Sequence, residues 1–226
     1  MNRFDLINFL IETFGYKSYL EIGVAGAENN FNLIKAPVKC GVDPSTEGEA
    51  IIKMTADSFF AQNKETFDII FIDGDHVDEQ VTKDISNSLA CLNPNGLIVL
   101  HDCNPTEKDH QEVPAVITFW VGTVWKAWVR CIQTLPPAIE MFVINNDTGI
   151  GIMKATGKGK KLGPIPEDQL TYENFDLNRD KWLNMISLDE FVAWANPAPK
   201  TIKPEVQQRE ITKKIDAKAK TDKLVS

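Results

Sequence analysis

The sequence is poor in cysteine and histidine, with four and three residues among 226. Its cysteines form no Cys-x-x-Cys pair, which argues against a zinc site or a thiol redox motif. Three of them lie in apolar segments, where cysteine usually behaves as a small buried hydrophobe. We therefore expect reduced thiols and a cytoplasmic protein. The cysteines are Cys40, Cys91, Cys103 and Cys131.

The sequence also lacks an excess of positive charge and long apolar runs. It has 24 Lys and Arg against 32 Asp and Glu, a net charge of −8. Nucleic-acid binding needs clustered basic residues, so we expect no nucleic-acid partner. No run approaches the ~20 apolar residues of a membrane span, so we expect no membrane partner. Residues 2–14 space their apolar residues helically and contain acids, which indicates an amphipathic helix and not a signal peptide.

Short apolar runs alternate with helical stretches from residue 19 onward, a pattern typical of a parallel sheet covered on both faces. Two further runs flank Asn-Asn-Asp-Thr at 145–148 and predict a terminal antiparallel hairpin. The expected fold is therefore a Rossmann-like, doubly wound α/β sheet that ends in a hairpin. Strands are predicted at 19–23, 38–43, 51–55, 67–73, 97–100, 141–144 and 149–153, and helices at 27–35, 77–92 and 123–134, with a turn at 93–96 ending the second helix.

The domain organisation changes after residue 163. Residues 1–163 are predicted to form the α/β domain. Residues 164–196 are predicted to form a helical extension or lid, whose last helix begins with a capping box of Ser187 and Glu190. Residues 197–226 hold eight Lys and Arg against four Asp and Glu. The composition of this basic tail indicates a segment that is solvated or docked on a partner rather than one that binds anions.

The end of the first predicted strand indicates a ligand. Gly23 and Gly26 allow a ligand to approach the backbone closely, but the third glycine of the dinucleotide fingerprint is missing. Glu21 would repel the pyrophosphate that dinucleotide enzymes hold at this point. A carboxylate there instead suits a cationic ligand, such as the amino group and sulfonium of S-adenosylmethionine. We therefore expect S-adenosylmethionine as the cofactor.

Two later acids fit the same cofactor. Asp43 ends the second strand, where an acid can accept hydrogen bonds from ribose hydroxyls. Asp57 follows the third strand and can accept from the adenine amino group, with Phe59 near the ring. The alternative is that Asp57 and Ser58 cap the helix that begins there, and the two roles are compatible.

Acids and histidines follow the fourth and fifth strands, which end at Asp73-Gly74-Asp75-His76 and His101-Asp102. The carboxyl ends of parallel strands face one crevice, so we expect these side chains to lie together. One interpretation is a divalent metal, Mg²⁺, Mn²⁺ or Zn²⁺, ligated by Asp73, His101 and Asp102. The other is a general base, His76 or His101, oriented by an aspartate. A purely structural role in helix capping is the third.

Three segments together resemble the class I S-adenosylmethionine-dependent methyltransferases, and more narrowly methyltransferase family 24, which is related to macrolide and cephamycin O-methyltransferases. They are Leu20–Gly26, Phe67–His76 and Leu92–Asp102. The most specific element is Ile-Asp-Gly-Asp-His paired with Leu-His-Asp across the Asn-Pro-Asn-Gly turn. The resemblance covers residues 15–153.

The resemblance implies a seven-stranded sheet whose last strand is reversed. It implies cofactor contacts from Glu21, Gly23, Gly26, Asp43, Asp57, Ser58 and Asp73. The metal-dependent catechol-type relatives hold Mg²⁺ at the positions matching Asp73, His101 and Asp102. His76 stands where those relatives have a catalytic lysine, so a histidine base is implied here.

The resulting hypothesis is an O-methyltransferase acting on a hydroxyl of a small molecule, with a sugar or glycan-pathway intermediate as the candidate acceptor. The alternatives are a nicotinamide-dependent oxidoreductase and a non-catalytic binding module on the same fold. A homo-oligomer is compatible with the O-methyltransferase and with both alternatives. The long segment 103–122 carries His110 and Trp120 and suits an acceptor site. Trp125 and Trp128 follow it in a predicted helix and are expected in the core.

Overall fold

The computed structural model describes residues 1–196, which form one seven-stranded sheet with helices on both faces. The strand order is β3-β2-β1-β4-β5-β7-β6. The strands are β1 Ser18–Ile22, β2 Val38–Asp43, β3 Ile51–Lys53, β4 Phe67–Ile72, β5 Leu92–Leu100, β6 Ile139–Ile144 and β7 Ile150–Ala155. The helices are α1 Arg3–Phe14, α2 Ala56–Gln62, α3 Asp78–Ala90, α4 Val124–Thr134, α5 Tyr172–Leu183 and α6 Leu188–Ala195.

The pairing of the strands confirms the Rossmann-like fold. Strands β1 to β5 pair in parallel, and β7 runs antiparallel to both β5 and β6. The chain order reverses between β1 and β4, which is the point where ligands bind in open α/β sheets. The site is therefore expected at the carboxyl ends of these two strands.

Each sheet face carries its own hydrophobic core, because successive strand residues point to opposite faces. Leu20 and Ile22 pack on one face with α3, α4 and α5, whereas Tyr19 packs on the other with α1 and α6. Trp125 and Trp128 are fully buried in the first core, as predicted.

The helix ends follow the capping signals of the sequence. Asn2 accepts from the Asp5 backbone N–H and begins α1, and Gly15 ends it in the left-handed conformation at φ 69°. The predicted capping box before α6 is formed, since Glu190 accepts from the Ser187 N–H at 2.8 Å and Ser187 Oγ accepts from the Glu190 N–H at 3.2 Å.

Two local predictions were wrong. Residues 93–96 belong to β5, where they form an irregularity in the register with β4 and Asn95 adopts the left-handed conformation at φ 66°. Residues 27–35 form two 3₁₀ turns and not a continuous helix. Asn30 lies between these turns, and its side chain is bound by Glu21 and Tyr19, which fixes the break.

The segment 164–196 packs into both cores. Phe175 and Leu183 of α5 are fully buried beside Trp125, and Phe191 of α6 is fully buried against α1. These contacts make the extension part of the same compact unit as the sheet. No helix among residues 1–196 has the length and apolarity needed to span a bilayer. The predicted basic tail, residues 197–226, lies outside the described residues.

Candidate active site

A cavity of about 500 Å³ opens at the carboxyl ends of β1, β2 and β4, where the strand order reverses. It is bounded further by the first turns of α2 and α3. Within the described part of the chain, its walls contain no Lys, Arg or His. Five aspartates line it: Asp43, Asp57, Asp73, Asp75 and Asp84. This negative lining favours a cationic ligand and opposes a pyrophosphate.

Gly23 forms the floor of this cavity after β1. Its φ is +87°, and an added Cβ would lie 2.3 Å from the Asp73 carbonyl oxygen, so only glycine fits. The loops after β1 and β4 thereby approach each other without side chains between them. Gly26 does not line the cavity; it precedes the first 3₁₀ turn at φ −150°.

Asp43 is held rigidly at the end of β2. Its Oδ1 accepts from the backbone N–H groups of Ser45 and Thr46, both at 2.8 Å, and its Oδ2 accepts from the Val24 N–H at 3.0 Å. Burial by itself would raise the pKa of Asp43, but these hydrogen bonds outweigh it and hold the pKa below its usual value. The side chain therefore presents an ionised acceptor to the cavity.

Glu21 lies elsewhere than the cavity wall. Its carboxylate accepts from the Tyr19 hydroxyl at 2.5 Å and from Asn30 Nδ2 at 2.9 Å, and the residue is 2% exposed. Burial raises its pKa to about 7, with Asp73 adding to the effect while these hydrogen bonds oppose it. The neighbouring residue Ile22 lines the cavity instead, because adjacent strand residues face opposite sides.

The start of α2 separates the two roles considered for Asp57 and Ser58. Thr55 is the helix cap, since its Oγ1 accepts from the Ser58 N–H at 3.3 Å. Asp57 lines the cavity and accepts from Gln80 Nε2 at 3.0 Å, whereas Ser58 is outside the lining. The capping function therefore falls to a residue that the sequence interpretation did not name.

Asp84 is a cavity residue that the sequence interpretation missed. It lies on α3, is 1% exposed and accepts from Gln80 Nε2 at 3.0 Å. Its pKa is raised to about 6, mainly by burial and additionally by the nearby Asp57 and Asp75. A signal was present in the sequence: Asp84 stands three residues after Val81 and next to Ile85, on the apolar face of the helix, where a charged residue is unusual.

Asp73, His76 and Asp102 converge beside this cavity, with one ligand atom of each within 4.8 Å of the others. His76 Nε2 lies 3.5 Å from Asp73 Oδ1, and His76 Nδ1 lies 3.4 Å from Asp102 Oδ2. Among residues 1–196, the buried His76 Nδ1 has no hydrogen-bond partner. The His76 ring stacks on Trp120 with centroids 5.5 Å apart. The orphaned nitrogen is thus available to a ligand.

His101 is surrounded by carboxylates. Its Nδ1 lies 3.0 Å from Asp73 Oδ1 and 3.3 Å from Asp102 Oδ1, and its Nε2 lies 3.7 Å from Asp147 Oδ1. Burial lowers the pKa of His101, but the three carboxylates outweigh burial and hold the pKa well above 6.5. The same pairing lowers the pKa of Asp73 despite its burial. The surrounding carboxylates therefore favour the protonated form of His101, which contacts both aspartates.

Three residues complete the cluster from elements that the sequence interpretation left out. Arg3, at the start of α1, lies with Nη1 3.3 Å from His101 Nε2 and with Nε 3.9 Å from Asp73 Oδ2. Asp147 and Thr148 come from the hairpin between β6 and β7, and Thr148 Oγ1 donates to Asp102. The hairpin had a turn signal, but nothing in the sequence linked Arg3 to this site.

The sequence between residues 12 and 103 matches the model of a methyltransferase domain, Methyltransf_24. These residues include β1 to β5 and both halves of the Asp/His cluster. Over this segment the chain resembles a methyltransferase domain. The match covers less than half of the sequence and ends directly after Asp102. No curated protein matches the sequence.

Solved structures share the fold of this chain. The SAH-bound methyltransferase PaMTH1 of Podospora anserina is 16% identical, with a TM-score of 0.51 over 67% of this chain and 76% of that one. Cofactor-bound Rv0187 from MTB is 12% identical, with a TM-score of 0.51 over 69% and 81%. The Bacillus cereus O-methyltransferase in complex with SAH is 13% identical, with a TM-score of 0.48 over 67% and 80%.

Proposed function

We propose that the enzyme transfers a methyl group from S-adenosylmethionine to a hydroxyl oxygen of a small molecule. One observation carries this proposal: the aspartate-lined cavity is continuous with the Asp/His cluster, because Asp73 belongs to both. A cationic methyl donor in the cavity and a proton acceptor beside it are the two requirements of O-methylation. The similarly folded Podospora anserina methyltransferase holds SAH, the demethylated form of the same cofactor.

The position that we propose for the cofactor follows from its chemistry and is supported by the residues that line the cavity. Asp43 accepts hydrogen bonds from the ribose hydroxyls, and Asp57 accepts from the adenine amino group. Gly23 lets the methionine part pass close to the backbone, with Asp73 nearest to the positive charge. Glu21 lies on the face of β1 away from the cavity, where its buried hydrogen bonds hold Asn30 and Tyr19 in position. Gly26 and Ser58 do not line the cavity, so we assign them a role in the conformation of the segments that surround it.

His76 receives the acceptor proton in this proposal. As the hydroxyl loses its proton to the imidazole, an oxygen lone pair attacks the methyl carbon, the carbon–sulfur bond breaks and its electrons remain on sulfur as the neutral thioether. Asp73 and Asp102 flank the ring on either side and stabilise the imidazolium that forms. They therefore raise the pKa of His76 above 6.5, against the opposing effect of burial.

A divalent metal is the second arrangement that the cluster supports. Asp73, His76 and Asp102 offer mixed oxygen and nitrogen ligation, which suits Mg²⁺, Mn²⁺ or Zn²⁺, and the orphaned His76 Nδ1 is a donor atom without another use. His76 takes the place of the expected His101 in this set, because the ligand atoms of Asp73, His76 and Asp102 lie within 4.8 Å of one another. When bound, the ion would lower the pKa of the acceptor hydroxyl.

The acceptor that we propose is a sugar or another hydroxyl-bearing intermediate of a glycan pathway, and not a nucleic acid or a membrane. The residues beside the cluster support a polar acceptor, since the hairpin between β6 and β7 contributes Asn145, Asn146, Asp147 and Thr148. Assembly into a homo-oligomer and a cytoplasmic location remain part of this proposal.

Calorimetric titration with S-adenosylhomocysteine and with NAD tests the proposed cofactor. We expect saturable binding of the first and none of the second, because five aspartates oppose the pyrophosphate. Transfer of radiolabelled methyl groups to a panel of hydroxylated small molecules then tests catalysis. NAD binding without S-adenosylhomocysteine binding would overturn the proposed function. Cofactor binding without transfer to any hydroxylated acceptor would favour the non-catalytic module.

A further inference from the structure

A second, smaller cavity of about 270 Å³ lies beyond the Asp/His cluster. Asp147 and Thr148 line it and also contact His101 and Asp102, so this cavity and the cofactor cavity both border the cluster. Its other walls are mostly polar: Asn104, Thr106, His110, Asn145 and Asn146. Amide, hydroxyl and imidazole groups at this density suit a ligand with several hydroxyl groups.

A group of exposed apolar side chains borders this second cavity. We define the apolar loop as residues 113–119, in which Val113, Val116, Ile117 and Phe119 are 49%, 61%, 38% and 55% exposed. These are four of the ten large apolar side chains that are exposed among residues 1–196. The concentration of four exposed apolar side chains within seven residues indicates an interaction site rather than chance exposure.

The apolar loop is anchored at both ends. The His110 carbonyl accepts from the backbone N–H groups of Val121 and Gly122, at 2.9 and 3.1 Å, and closes the base of the loop. Trp120 Nε1 donates to the Glu112 carbonyl at 2.7 Å and ties the two sides together. The apolar side chains are therefore held toward solvent by a defined backbone.

Phe119 joins the apolar loop to the second cavity, since it lines that cavity and packs edge-on against His110, with centroids 4.8 Å apart. The next residue, Trp120, stacks on His76. The loop therefore connects the second cavity to the residue that packs against the proposed base.

We propose that the acceptor is a small amphiphile, with a hydroxylated head in the second cavity and an aliphatic or aryl body along the apolar loop. This inference rests on the proposed function, because the hydroxylated head supplies the methyl-accepting oxygen. A purely polar sugar would leave Val116 and Ile117 without a role. Because Phe119 belongs to both the apolar loop and the second cavity, we assign the loop to the apolar part of the acceptor itself.

Alkyl glucosides from butyl to octyl, each below its micelle concentration, are the probes for this proposal. Their affinity for the intact chain loaded with S-adenosylhomocysteine is measured by calorimetry, with free glucose as the reference. We expect affinity to rise about threefold per methylene, which is near the value for partial burial of each group. Val116→Ser/Ile117→Ser should flatten this dependence while leaving S-adenosylhomocysteine affinity within about twofold.

Leu177→Ser/Val192→Ser is the matched control, since both residues are exposed and lie on α5 and α6. It should keep the chain-length dependence of the original sequence. The proposal is overturned if both double variants lose the chain-length dependence equally, or if the original sequence shows no such dependence. A concentration-dependent dimer that Val116→Ser/Ile117→Ser abolishes would also overturn it, because a second copy would then cover the loop. Failure of S-adenosylhomocysteine binding would instead count against the proposed function.

Discussion

His101 Nδ1 lies 3.0 Å from Asp73 Oδ1, which joins the residue after β5 to the residue after β4. The pair lies between the cofactor cavity and the second cavity, because Asp73 lines the first and His101 contacts Asp147, which lines the second. His76 Nε2 lies 3.5 Å from the same Asp73 oxygen, and we propose that His76 is the group that accepts a proton. We therefore propose different roles for the two histidines despite their similar sequence contexts.

Replacing Asp43 by Ala should weaken S-adenosylhomocysteine binding by roughly 10- to 100-fold. The reason is the loss of charged hydrogen bonds to ribose, each worth about 1.5–3 kcal/mol. Calorimetric titration gives the affinity, and thermal unfolding shows whether the loop at Ser45 and Thr46 still folds. Asp168→Ala is the control, because Asp168 is exposed and outside the cavity. Unchanged affinity in a folded Asp43→Ala protein would exclude the ribose contact.

Replacing His76 by Ala should lower methyl transfer by about 10²- to 10⁴-fold, the usual contribution of a general base. S-adenosylhomocysteine affinity should stay within about twofold, because His76 does not line the cofactor cavity. The measurement is radiolabelled methyl transfer at saturating cofactor.

Chelation with EDTA separates the two arrangements at this cluster. If His76 acts as a metal-free base, EDTA leaves the rate unchanged. The rate then rises with pH through an ionisation above pH 6.5, because the aspartates raise the pKa of His76. If Asp73, His76 and Asp102 bind a metal, EDTA abolishes turnover and Mg²⁺, Mn²⁺ or Zn²⁺ restores it. Full activity of His76→Ala in EDTA would contradict both.

Replacing His101 by Gln should reduce kcat by about 10- to 100-fold, as expected for a residue that orients catalytic groups. Glutamine keeps a donor toward Asp73 but removes the positive charge, so the Asp73 pKa should rise toward its usual value. S-adenosylhomocysteine binding should change little. Chemical-shift titration of the Asp73 carboxyl carbon measures the pKa directly, and an unchanged value would show that His101 is uncharged in the folded protein.

Replacing Asp84 by Asn should stabilise the protein at neutral pH. Burial raises the pKa of Asp84 to about 6, so the folded state disfavours its charged form. Between about pH 4 and 6 the unfolded chain binds fewer protons at this residue, and stability falls as pH rises. The variant lacks this penalty, so its advantage should grow across that window to at most about 3 kcal/mol.

Urea unfolding at a series of pH values checks the Asp84 prediction. Asp168→Asn, at an exposed position, should show no comparable pH-dependent difference. An advantage of Asp84→Asn that is already complete at pH 4, or that decreases toward pH 7, would show that the pKa of Asp84 is not raised.

The sequence by itself determined most of the secondary structure, with residues 27–35 and 93–96 as exceptions, and the strand ends that meet at one edge of the sheet. Strand and helix periodicities are local, and the capping box of Ser187 and Glu190 acts within one turn, so each could be interpreted without knowing the fold. The order of five alternating strands and a hairpin was enough to place Asp43, Asp73 and Asp102 at one edge of the sheet.

Only the tertiary structure decided which side chains meet at that edge. Glu21 and Ile22 are neighbours in the sequence, but the alternation of a strand turns Glu21 away and Ile22 toward the cavity. Arg3 and Thr148 reach the Asp/His cluster from segments far apart in the chain, a proximity that depends on how α1 and the hairpin pack on the sheet. The raised pKa of His101 follows from that packing, because three carboxylates from separate segments surround it. Local patterns do not encode such long-range electrostatic contacts, which form only when the sheet and its loops are assembled.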